Sequence, residues 1–319
     1  MNVIFMGTPP FAAKSLEAIV SAGHKVTLVV TQPDKPKGRG KEMAESAVKL
    51  YAKDAGLEIF QPERIKAKES VEVLKKYEAD IFVVAAFGQI LSKEILDMPR
   101  FGCINVHASL LPKYRGASPI QWAIINGDKE SGVTIMQMNE GLDAGDMIAS
   151  ASTPVLDTDT GESLHDKLAE LGAALLKGTL LSIESGQITR TPQPAECESY
   201  APLLTKKMGE LDFNKSAKEL LRLLRAFTPW PGTYTYINGK VLKVISAAAC
   251  DDMTEELKDR AGILPGEILC ADAKGIKVAC GRGSLLFTEV QLEGKKRMSV
   301  RDFLLGYKIE TGVRLGKEQ

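Results

Sequence analysis

Six consecutive apolar residues, Ile81-Phe82-Val83-Val84-Ala85-Ala86, constrain this chain more than any other stretch. A strand with one wet face alternates apolar and polar residues. This one does not, so both of its faces must be buried. That requires cover on two sides, and the usual cover is helices packed on a mostly parallel sheet. The surrounding sequence has the matching rhythm. Val3-Ile4-Phe5-Met6 is a short apolar run ending at Gly7. Pro9 and Pro10 suit a helix start, where a missing N–H costs nothing. Leu16, Ile19 and Val20 give that helix one apolar face, and Gly23 stops it. Strands follow at Val26–Val30, Cys103–His107 and Val133–Met138, with a helix at Pro119–Asn126 stopped by Gly127. The expectation is an α/β, Rossmann-like first half with helices on both faces of a mostly parallel sheet.

A long helix over about Glu162–Glu184 closes this half, with Leu164, Leu168, Leu171 and Leu175 as its core-facing stripe. His165 sits beside that stripe and reads as a surface residue. Thr191-Pro192-Gln193-Pro194-Ala195-Glu196 is extended and Pro-rich, as a linker is. Beyond it lie one amphipathic helix (Ala217–Phe227) and a series of short strands. Asn238-Gly239, between Thr233–Ile237 and Lys240–Ile245, is a strong hairpin signal. Strands at Gly266–Leu269, Ile276–Ala279 and Ser284–Phe287 extend the pattern to a small, OB-like β-barrel. The expected division is a domain over 1–190, a linker over 191–206 and a barrel over 207–319.

Composition removes several classes. The chain has 319 residues, 44% hydrophobic and 26% charged, which suits about two globular domains and no wholesale disorder. Cys103, Cys197, Cys250, Cys270 and Cys280 are odd in number and include no C-x-x-C pair. A disulfide framework or a zinc site is therefore not expected, and reducing cytosol is. The run Ile81–Leu91 contains Gly88 and Gln89 and is far below the ~18 residues of a membrane span. Met1–Met6 is too short for a signal peptide and lacks a basic leader, so a bacterial cytoplasmic protein is expected. Neither G-x-G-x-x-G nor G-x-x-x-x-G-K-[ST] occurs, which argues against a nicotinamide dinucleotide and a P-loop nucleotide. Net charge is zero, yet residues 1–206 carry 22 Lys+Arg against 26 Asp+Glu, and residues 207–319 carry 19 against 15. Such asymmetry between halves is compatible with an RNA partner.

Chemistry concentrates after two strands. Asn105 and His107 are two apart on a strand, so they share a face, about 6–7 Å apart at Cα. They lie where that strand ends, and strand ends border the ligand crevice of an open parallel sheet. An Asn amide can donate to a developing oxyanion, and a His near neutrality can move protons. The bland alternative is a His satisfied by backbone at a strand end. Asp143 lies in the tight loop Glu140-Gly141-Leu142-Asp143-Ala144-Gly145-Asp146, which alone is merely a turn. Ser109-Leu110-Leu111-Pro112-Lys113-Tyr114-Arg115-Gly116 reads as a loop with two exposed leucines that could line a slot for a flat ring, or its leucines could anchor the core. Thr31–Lys41 has four cations, two prolines and two glycines. It reads as an irregular basic loop, either phosphate-binding or simply solvated.

These segments together resemble the 10-formyltetrahydrofolate-dependent formyl and hydroxymethyl transferases. The resemblance rests on Asn105-Val106-His107-Ala108-Ser109-Leu110-Leu111-Pro112, Arg115-Gly116-Ala117-Ser118-Pro119-Ile120-Gln121, Gly132–Met138 and Gly141–Asp146. The loop Gln32–Lys41 and Pro229-Trp230-Pro231-Gly232 narrow it to the branch that acts on an aminoacylated tRNA. The resemblance implies 10-formyltetrahydrofolate as co-substrate, initiator methionyl-tRNA as partner, and no metal, membrane or obligate protein partner. It implies Asn105, His107 and Asp143 as catalytic residues. Ser109, Leu110, Leu111, Pro112, Gln89, Ile90 and Leu91 would hold the pterin. Lys35, Lys37, Arg39 and Lys41 would meet the RNA, as would Lys295, Lys296 and Arg297 on the barrel. A formyltransferase for a small amine, a non-catalytic RNA-binding protein and a folate hydrolase remain the alternatives.

Overall fold

Ile81–Ala85 of the all-apolar run lie in the interior of a seven-stranded sheet, while Ala86 is exposed just past the strand end. The computed structural model describes residues 1–37, 42–194, 199–250 and 262–317. It divides into two units, Met1–Pro119, Glu130–Pro154 and Leu164–Pro202 against Ile120–Lys129, Val155–Ser163 and Leu203–Gln319.

In chain order the first elements are β1 (Asn2–Gly7), α1 (Pro10–Ser21), β2 (Lys25–Val30), β3 (Lys35–Lys37), β4 (Glu42–Ala44), α2 (Ala47–Asp54), β5 (Ile59–Phe60), α3 (Lys68–Leu74), β6 (Ile81–Ala85) and α4 (Lys93–Leu96). Then come β7 (Cys103–His107), β8 (Arg115–Gly116), α5 (Pro119–Asn126), β9 (Glu130–Gln137), β10 (Met147–Pro154), α6 (Gly161–Glu184) and β11 (Tyr200–Ala201). The main sheet runs β10-β9-β7-β6-β1-β2-β5. β6 lies between β1 and β7, parallel to both, and all five of its residues are buried. The sheet is parallel from β7 to β5. β9 then runs antiparallel to β7, and β10 antiparallel to β9. Alternation tells which face a residue takes but not which way its strand points, so this reversal had no sequence signal.

Two elements depart from expectation. The stripe of α6 continues through Leu176 and Leu180, while Leu171 and Leu175 stand at its border, only partly buried. Its middle position is Gly172, where a Cβ would lie 3.2 Å from Val106 and 3.3 Å from Val133. Glycine carries no apolar signal, yet here it lets the helix approach β7 and β9. His165, read as a surface residue, is partly covered, with its ring edge-on to Phe11 at 6.0 Å and Nδ1 2.9 Å from Asp166. The stretch Thr31–Lys41, read as irregular, contains a paired strand: Lys35, Pro36 and Lys37 oppose Ala44, Met43 and Glu42. A two-stranded ribbon has free edges, where a proline's missing N–H is tolerated.

The second unit contains α7 (Ala217–Ala226), β12 (Thr233–Ile237), β13 (Lys240–Cys250), β14 (Ile268–Asp272), β15 (Gly275–Ala279), β16 (Ser284–Leu292), β17 (Met298–Ser299) and α8 (Val300–Gly306). Its strands form an antiparallel sheet ordered β12-β13-β16-β15-β14, with β17 beside β16. Asn238 and Gly239 take φ of +48° and +72°, as the two-residue turn between β12 and β13 requires. Alternate residues of the strands, with Leu220 and Leu224 of α7, form the core around Phe287. The stretch 312–316 joins the two sheet edges. Ile268 N donates to Val313 O (2.8 Å), Leu315 N to Gly266 O (2.8 Å) and Gly316 N to Tyr236 O (3.0 Å). No helix among the described residues is long and apolar enough to cross a membrane.

Candidate active site

Period-two geometry puts Asn105 and His107 on one face of β7, and the register fixes their neighbours. Asn105 sits beside Val84 of β6 and Met136 of β9, and His107 beside Thr134. Both are buried, Asn105 9% and His107 6% exposed. The chain then turns through 108–114, and Thr134 pins it there. The Thr134 hydroxyl donates to Ser109 O (2.7 Å) and accepts from Leu111 N (3.1 Å), while the Ser109 hydroxyl donates to Lys113 O (2.7 Å).

This turn brings the Tyr114 carbonyl to 2.9 Å from His107 Nε2. A carbonyl can only accept, so Nε2 carries a proton. The other nitrogen, Nδ1, faces Asp143 Oδ1 at 3.8 Å, beyond hydrogen-bond distance. Asp143 itself is held by others. Its Oδ2 accepts from Gly116 N (2.9 Å), and its Oδ1 lies 3.4 Å from the donor Asn105 Nδ2. Asp143 takes φ of +48°, a left-handed conformation that aspartate visits more readily than most residues. Its loop can close because Gly145 has no side chain: a Cβ there would fall 1.7 Å from Gln137 O.

An amide donor, an imidazole nitrogen and an anchored carboxylate thus converge at the carboxyl end of β7. This suits stabilising negative charge on a carbonyl oxygen and handling the proton of an attacking amine. Cys103, also on β7, is no competing nucleophile, because burial pushes its thiol well above the ordinary range. Among the described residues, no group of three or more His, Cys, Asp and Glu is placed to hold a metal ion.

The other expected residues divide. Ser109 and Leu111 are buried in the turn beside His107, and Leu110 is only partly exposed. The Gln89 amide is occupied, accepting from Ile65 N (2.7 Å) and donating to Pro62 O (3.1 Å). Leu91 belongs to the core, whereas Ile90 is 70% exposed and open to a ligand. Lys35 and Lys37 lie on β3, while Arg39 and Lys41 fall outside the described residues. Lys295, Lys296 and Arg297 are exposed between β16 and β17, but Arg297 is paired with Glu289 (Nη2 to Oε2, 2.6 Å). Sequence reasoning missed the Tyr114 carbonyl, because a backbone acceptor has no residue signature. It also missed Gln193, whose side-chain amide donates to Asp143 O (2.9 Å) and Gly145 O (2.7 Å).

Fold and site together fit a group-transfer enzyme that works on an acyl unit. The family model described as formyl transferase matches residues 1–180, and that described as formyl transferase, C-terminal domain, matches residues 203–308. The chain belongs to the formyl transferase family. Two of its curated relatives are each named methionyl-tRNA formyltransferase. The one from Lachnospira eligens is 50% identical and spans 99% of this chain and 100% of its own length. The one from Agathobacter rectalis is 52% identical and spans 98% of each. Among solved structures, the N-formyltransferase from Helicobacter canadensis, in complex with folinic acid and dTDP-3-aminofucose, superposes with a TM-score of 0.62. At 20% identity, over 89% of this chain and 98% of that one, it shows a shared fold.

Proposed function

We propose that the chain transfers the formyl group of 10-formyltetrahydrofolate to the α-amino group of methionyl-tRNA, the initiator species, in the bacterial cytoplasm. One observation carries this reading: relatives about half identical along the whole length bear that activity in their names. The convergence of Asn105, His107 and Asp143 agrees with it.

The chain's own groups have distinct tasks. Asn105 Nδ2 turns from its long bond with Asp143 to the formyl oxygen as charge collects there. His107, with Nε2 committed to Tyr114 O, offers Nδ1 to the reacting centre. Asp143, held through Oδ2 by Gly116 N, keeps a negative oxygen ready for the amine proton, directly or through water. The folate would carry the formyl group on N10 and leave as tetrahydrofolate when that N–C bond breaks, its nitrogen taking up the proton the amine has lost. Its pterin lies against the Ser109–Pro112 turn and the exposed Ile90. Residues 1–190 perform the chemistry. The basic residues of β3, of the following stretch and of the β16–β17 turn meet the RNA.

Labelled 10-formyltetrahydrofolate, offered in turn to methionyl-tRNA, free methionine, an amino sugar nucleotide and water, tests the proposal. Label should appear on methionyl-tRNA, and on initiator in preference to elongator. Faster transfer to the sugar amine or to water would overturn it.

A further inference from the structure

The stretch 191–201 reads as a linker, and neither family match includes it. Its described residues 193–194 and 199–201 are bonded to or paired with the loops that carry Asp143, Tyr114 and Arg115. The Gln193 amide nitrogen donates to the carbonyls of Asp143 and Gly145. Its oxygen accepts from Arg115 Nε (3.0 Å), and Arg115 Nη2 donates to Pro194 O (3.0 Å). Arg115 is buried, 4% exposed, so its guanidinium is set in place rather than swinging at the surface. Further along, Ser199 Oγ accepts from Tyr114 N (3.0 Å). β11 then pairs with β8, Tyr200 beside Arg115 and Ala201 beside Gly116. The residues whose backbone groups hold His107 and Asp143 are each bonded to or paired with this stretch, Tyr114 through its N–H and Gly116 through β11. Tyr114 O sets His107, Gly116 N sets Asp143 Oδ2, and the Asp143 carbonyl is gripped directly.

We propose that Gln193 is a positioning residue that clamps the Asp143 loop, and that Arg115, with residues 193–194 and 199–201, forms a strap belonging to the active site. The inference rests on the catalytic reading of Asp143. Gln193 touches no substrate. It acts by satisfying two loop carbonyls, and so fixes where the Asp143 carboxylate stands relative to His107. Displacing a reacting group by about 1 Å costs roughly a hundredfold in rate.

The test uses the full chain and steady-state kinetics with both substrates. Gln193→Met keeps the side chain's bulk and removes both donations. Gln193→Glu keeps an acceptor for Arg115 but sets a carboxylate against two carbonyls. Both should lower kcat about ten- to a hundredfold, with KM for folate and for methionyl-tRNA moving less than about threefold and the unfolding midpoint nearly unchanged. Asp143→Asn should lower kcat by itself. If Gln193 acts through Asp143, Gln193→Met should add little in the Asp143→Asn background. Wild-type kcat in Gln193→Met, or a full multiplicative loss in the double variant, overturns the clamp while leaving the trio intact. A loss of kcat that tracks a fall in the unfolding midpoint also overturns it. Wild-type kcat in Asp143→Asn overturns the catalytic reading itself.

Discussion

His107 has only one ring nitrogen to spare, and this governs chemistry at the residue scale. With Nε2 donating to Tyr114 O, whatever the imidazole does in turnover passes through Nδ1. On the proposed mechanism Asn105 is the donor to the developing oxyanion, free to turn because its bond to Asp143 is long and weak at 3.4 Å. Asn105→Ala should therefore lower kcat about a hundred- to a thousandfold, with folate affinity largely kept. Single-turnover kinetics beside equilibrium folate binding would check this. Much of the placement of the proposed trio was legible in sequence. A period of two puts Asn105 and His107 on one face, and a glycine-rich turn after the next strand suits Asp143. The partners that aim them were silent, because Tyr114 O and Gly116 N are backbone atoms that any residue supplies.

At the scale of elements, legibility followed periodicity. The apolar run became β6 up to Ala85, Cys103–His107 became β7 residue for residue, and Asn238-Gly239 made its hairpin. Elements held by local rules also give clean tests. α7 opens on a capping box, in which Ser216 Oγ accepts from Glu219 N and the Glu219 carboxylate accepts from Ser216 N. Ser216→Ala should cost about 1 kcal/mol of stability in the second unit, measured by urea denaturation, and leave kcat unchanged. Legibility failed where periodicity is absent or ambiguous. β9 reverses direction without changing its pattern, and Gly172 hides the middle of a packed stripe. Pro192-Gln193-Pro194 has the composition of a spacer, and only its tertiary hydrogen bonds distinguish it from one.

At the scale of the whole molecule, zero net charge conceals a cationic second half that can meet a polyanion. Within the cluster at the β16–β17 turn the cations are not equivalent. Arg297 is neutralised by Glu289, which lowers the value of its charge to a phosphate. Replacing Lys295 and Lys296 by Ala should reduce the slope of log affinity for tRNA against log salt by about one each, and Arg297→Ala by less. Filter binding across a salt series would read these slopes. The 312–316 stretch bears on how the molecules behave in company. Bonded to residues 266–268 on one side and to Tyr236 on the other, it occupies backbone groups along both rims of the second sheet. Bare rims of this kind recruit strands from other chains. A chain ending at residue 311 should therefore self-associate, with light scattering that rises steeply with concentration and recedes when a peptide of the missing stretch is supplied.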